Sequence, residues 1–102
     1  MSNVFLFILS LDRDGWRELM GLLNQYAKKG DRIDKQNVIL LKAKLKEPLS
    51  SKENLHALRT GGVATSAIEL HPWQGQMIST ATRKASPKLY EEVNAALEEG
   101  EN

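Results

Sequence analysis

Residues 3–10 carry the run Val4-Phe5-Leu6-Phe7-Ile8-Leu9, short, aromatic and without polar alternation, which predicts a strand buried on both faces. The period then changes. Trp16, Leu19, Met20, Leu23, Tyr26 and Ala27 recur at helical spacing and predict an amphipathic helix over about 14–29. Asp12 or Asp14 suits its N-cap, Lys28 and Lys29 suit the negative end of its dipole, and Gly30 suits a left-handed C′ position.

Two readings compete over residues 37–46. Leu41-Lys42-Ala43-Lys44-Leu45-Lys46 alternates strictly and follows Val38-Ile39, as in a half-buried strand. Leu, Lys and Ala are also good helix formers, and Asp34 is placed to cap a helix. The alternation favours the strand, ended by Pro48. Ser50 and Glu53 have capping-box spacing for a short helix that Gly61-Gly62 stops. Residues 63–71 and 76–82, rich in Thr, Ile, Val and Ser, read as a hairpin around His71-Pro72-Trp73-Gln74-Gly75. Ser86-Pro87 opens a last helix, about 87–99, with the stripe Leu89, Tyr90, Val93, Ala96 and Leu97. The expected fold is α+β: one domain over 1–102, a two-layer sandwich with a mixed or antiparallel sheet, helices on one face, and the order β-α-β-α-β-β-α.

Composition adds little until charge is read by position. The 102 residues include no cysteine, which excludes disulfides, thiol nucleophiles and thiolate metal sites. The apolar run at the start is too short to span a bilayer and lacks a leader's flanks, so a cytoplasmic protein with no membrane partner is expected. The net charge of +1 conceals a sorting. Residues 1–90 hold all 14 Lys and Arg, whereas 91–102 hold 5 acids and no base. The densest basic stretch, Lys28 to Arg59, carries 9 bases against 4 acids. On a strand, Lys42, Lys44 and Lys46 would stand in one row, extended by Lys28, Lys29, Arg32, Lys35, Lys52 and Arg59. Such a row suits phosphate, and nucleic-acid binding is one reading of it; lysine also blunts an exposed strand edge.

Asp12-Arg13-Asp14-Gly15 stands where a strand opens into a helix, a place where free helix amides meet ligands in α/β proteins. Residues 4–29 resemble the opening of ACT ligand-binding domains, an apolar strand, Asp-Arg-Pro-Gly or similar, then an amphipathic helix, with Asp14 in the place of Pro. The resemblance implies a βαββαβ order and a regulatory small-molecule site near Asp12, Arg13, Asp14 and Gly15 at a dimer interface. Residues 4–15 also look similar to the Asp-x-Asp-Gly-Thr start of haloacid-dehalogenase-like phosphatases, which would make Asp12 a nucleophile and Asp14 an acid/base; Trp16 replaces the Thr and no later aspartate pair follows. Read without either family, the four residues are those of a capped turn.

The two histidines, His56 and His71, have no metal-ligand spacing, and no nucleophile elbow occurs. No catalytic constellation, metal or cofactor is expected, and an enzyme is not. Two features favour a module that binds another protein as regulator, inhibitor or assembly factor. Trp73 lies in a turn, where aromatics anchor partners. Glu91, Glu92, Glu98 and Glu99 lie on the last helix, the final two at the end its dipole makes negative. A homodimer is compatible with this composition.

Overall fold

A computed structural model describes residues 3–101. The order is β1 (Phe5–Asp12), α1 (Arg13–Lys29), α2 (Arg32–Leu49), α3 (Lys52–Arg59), β2 (Val63–Leu70), α4 (Pro72–Arg83) and α5 (Pro87–Glu101). The class is α+β, but the expected β-α-β-α-β-β-α order is not the one formed. Among the described residues there are two strands, paired antiparallel from Phe5 opposite Leu70 to Asp12 opposite Val63 without a bulge.

Residues 37–46 belong to α2, not to a strand. Leu41 and Leu45 are four apart, a spacing that fits one face in either period, so the alternation did not discriminate. The wider stripe does: Val38, Leu41, Leu45 and Leu49 are all buried, and they share a face only in a helix. Asp31, not Asp34, is the N-cap. Its Oδ1 accepts from the Asp34 amide at 2.9 Å, and Asp34 Oδ2 accepts from the Asp31 amide at 3.2 Å. Pro48 sits in the last turn, where its missing N–H costs one bond and the helix ends a residue later. Ser51 caps α3, one position after the expected Ser50, whose hydroxyl instead donates to the Lys46 carbonyl.

The hairpin over 63–71 and 76–82 does not form. Residues 63–70 are a strand, but its partner is β1, and 76–82 lie in α4. Pro72 is at the start of α4, and Met77, Ile78 and Thr82 turn inward at helical spacing. Thr82, β-branched and buried, donates its hydroxyl to the Ile78 carbonyl at 3.0 Å, so it brings no unsatisfied group into the helix. The ACT order also fails, since three helices lie between the two strands.

α1 and α5 form where their patterns place them. Asp12 caps α1 through a 2.8 Å bond from the Gly15 amide. Gly30 is extended at φ −96°, not left-handed; the left-handed glycine is Gly61, at φ 84° after α3. Leu89, Val93, Ala96 and Leu97 of α5 are buried, with Tyr90 partly covered.

One core gathers the inward face of the sheet (Phe7, Leu9, Leu11, Ala64, Ile68, Leu70) with Leu19, Leu23, Leu41, Leu45 and Ile78 from the helices. Trp16 binds α1 to the sheet, donating its Nε1–H to the Ala64 carbonyl at 3.0 Å. Buried Ser66 donates to the Leu45 carbonyl at 3.0 Å. β1 is not buried on both faces as its composition suggested: Leu6 is 51 % and Ile8 50 % exposed on the outer face. Full burial of such a side chain is worth roughly 1.5–3 kcal/mol, so folding leaves part of that driving force unspent here. No helix among the described residues is long and apolar enough to cross a membrane.

Candidate functional site

The sheet has two edges, and they are finished differently. At β2, Asn54 of α3 acts as a side-chain plug. Its Nδ2 donates to the Thr65 carbonyl at 2.9 Å, and its Oδ1 accepts from the Thr65 amide at 3.1 Å. Both backbone groups of Thr65 therefore point away from β1, and Thr65 with Ser10 is a non-hydrogen-bonded pair of the ladder. Side chains approach most closely in such pairs, and Ser10 Oγ lies 2.6 Å from Thr65 Oγ1. The alternation then directs the backbone groups of Leu6, Ile8 and Ser10 to the free edge of β1. Among the described residues no other backbone or side-chain group bonds to that edge at Ile8 or to the Ser10 backbone.

α5 runs antiparallel along this edge, with Leu89 near Leu11 and Gly100 near Leu6. The lengths match. Leu6 to Leu11 advances about 16 Å along a strand. Leu89 to Gly100 advances about 16 Å along a helix. At Gly100 the helix backbone closes on the Leu6 carbonyl so tightly that any Cβ would collide with it. Towards Ser10 the two elements leave a groove of about 790 Å³, bordered by Leu6, Ile8, Ser10, Glu92, Ala95 and Glu99. Ser10 and Glu92 also border a second hollow of about 320 Å³, with Asp12, Asp14, Glu18 and Lys88 on its rim. The two hollows adjoin at Ser10 and Glu92, and among the described residues this trough is lined by five carboxylates and a single base.

The residues singled out in the sequence thus separate. Asp12, Asp14 and Gly15, selected as a ligand loop, meet Glu92 and Glu99, selected as a partner surface, along the same trough. Arg13 lies instead beside Leu55, Leu58 and Arg59. Glu91 and Glu98, one residue before Glu92 and Glu99, are turned about 100° away around α5, and Glu98 accepts from Asn94 at 3.2 Å. Trp73 is 45 % exposed in the first turn of α4, stacked on the His71 ring at 6.2 Å, and borders a different hollow with Tyr26 and Asn37. It is not in a hairpin turn.

The row of lysines is also corrected. On a helix Lys42 and Lys44 diverge by about 200°. Lys42 reaches Asn24 of α1 at 2.7 Å, and Lys44 reaches the buried Gln74 of α4 at 3.4 Å. Lys35, Lys42 and Lys46 keep a common flank of α2, and Arg32 stands near it; Lys28 and Lys29 close α1, while Lys52 and Arg59 belong to α3. His56 is exposed on α3 and His71 is at the N-cap of α4, so they do not form a pair on one element.

Asn54 has no role in the sequence reading, and Leu6 and Ile8 are expected there to be buried rather than to border a groove. Asn is a poor helix former whose side chain competes for backbone groups, and that was the available signal at position 54. No family model, no curated protein and no solved structure matches this chain.

Proposed function

We propose that this protein is a non-enzymatic interaction module, acting in the cytoplasm, that holds a basic segment of another protein in the trough between β1 and α5. One observation carries the reading: Asp12, Asp14, Glu18, Glu92 and Glu99 border two adjoining hollows that share Ser10 and Glu92, with Lys88 the only base among the described residues lining them. Walls of one sign focus the field and favour an oppositely charged partner. The same sign disfavours nucleic acid there. Of the basic row expected on a strand, Lys44 is turned away towards Gln74, while Arg32, Lys35, Lys42 and Lys46 stay on one flank of α2, away from this site. The helices and the two-stranded sheet serve as a two-layer scaffold for this trough.

The test is a titration of the full chain with a blocked basic peptide and with its Lys→Glu counterpart, at low and at raised ionic strength. The reading expects binding of the basic peptide alone, weakening as salt rises. Equal binding of both peptides, or none of either, overturns it.

A further inference from the structure

We propose that the free edge of β1 takes up an extended segment of another protein as a third strand, its backbone pairing with Ile8 and Ser10 and its basic side chains facing Glu92 and Glu99. The proposal rests on the trough being the partner site and adds how the partner is held.

An open strand edge is a template for pairing, and folded proteins usually blunt it with lysine, proline, a bulge or a covering element. β2 is blunted by Asn54, which occupies both backbone groups of Thr65. β1 has none of the first three devices: Phe5–Asp12 contains no Lys or Pro, and its register is unbroken. α5 closes the edge at Leu6 through Gly100 and then leaves the groove beside Ile8 and Ser10. These two residues direct two N–H donors and two carbonyl acceptors into it.

A strand seated there has unlike faces. One face rests on α5, where Ala95 and Ala96 are small enough to take the stems of long side chains, with Glu92 and Glu99 receiving their charged ends. The other continues the outer face of the sheet beside the half-exposed Leu6 and Ile8, where apolar residues fit. Alternating basic and apolar residues meet both demands, since successive side chains of a strand point to opposite faces. A second copy of this chain does not. Pairing β1 with β1 would set the same carboxylates against one another, and the β2 edge of a copy is occupied at Thr65 by Asn54.

The experiment uses the full chain, isotopically labelled, with the end-blocked hexapeptide Lys-Val-Arg-Val-Lys-Val as probe and amide hydrogen exchange as readout. Bound peptide is expected to slow exchange of the Ile8 and Ser10 amides by at least about tenfold. Phe7 and Leu9, whose amides already face β2, should change by less than about twofold. The double substitution Glu92→Lys, Glu99→Lys should abolish both the binding and the protection. If the peptide binds and the double variant loses it, but Ile8 and Ser10 exchange as before, strand addition is wrong and the acidic trough stands. If the peptide does not bind, or binds the double variant equally well, both readings are wrong.

Discussion

The carboxamide of Asn54 holds the backbone of Thr65 as a neighbouring strand would, donating to its carbonyl at 2.9 Å and accepting from its amide at 3.1 Å. The same Nδ2 donates to the Pro48 carbonyl at 2.8 Å, so one side chain joins the end of α2, α3 and the β2 edge. Asn54→Ala removes these bonds and strands partly buried partners, for an expected loss of about 2–3 kcal/mol. Urea unfolding measures this, and the Thr65 amide should exchange faster. A change below about 0.5 kcal/mol would show that water replaces the amide without cost.

Trp16 makes the corresponding tie from α1, through its Nε1–H to the Ala64 carbonyl at 3.0 Å. Trp16→Phe keeps an aromatic ring in the core but loses the bond and some volume, with an expected cost of about 1–2 kcal/mol. Thermal unfolding of the variant tests it, and an unchanged midpoint would contradict a structural role for that bond.

Two glycines should respond in opposite directions. Gly100 lies against the Leu6 carbonyl, and Gly100→Ala should separate the last turn of α5 from β1 at a cost of about 1–3 kcal/mol. Gly21, inside α1, has open space where a Cβ would stand, and Gly21→Ala should stabilise by about 0.5–1 kcal/mol. Paired denaturation curves decide both signs.

Position on α5, not charge alone, should govern binding of a basic peptide. Glu92→Lys with Glu99→Lys and Glu91→Lys with Glu98→Lys alter net charge equally. Only the first pair borders the groove. Affinity should fall at least about tenfold for the first pair and less than about threefold for the second. Fluorescence anisotropy at one ionic strength provides the comparison, and equal losses would mean that long-range attraction alone holds the peptide.

Local pattern was sufficient for α1, β2 and α5. Each has one dominant period and a cap or stop: Asp12 before α1, Gly61 before β2, Ser86-Pro87 at α5. The acidic character of α5 and the cap at Asp12 were legible for the same reason, because both are properties of neighbouring residues. α2 and α4 were not. Leu41 and Leu45 satisfy both periods at once, and the Thr and Ile of α4 have strand propensity that burial of Met77, Ile78 and Thr82 overrides.

Pairing lay further out of reach. Whether β2 joins β1 or the segment after it depends on which apolar faces close together, and three helices intervene in the chain. The trough follows from that choice. By themselves the residues determined an acidic last helix and a carboxylate-rich turn after the first strand. Only the tertiary structure brought Asp12 and Asp14 into one hollow with Glu92, by laying α5 along the edge that β2 leaves free. Burial of the core selects that arrangement, and it acts between residues distant in sequence, where no local spacing records it.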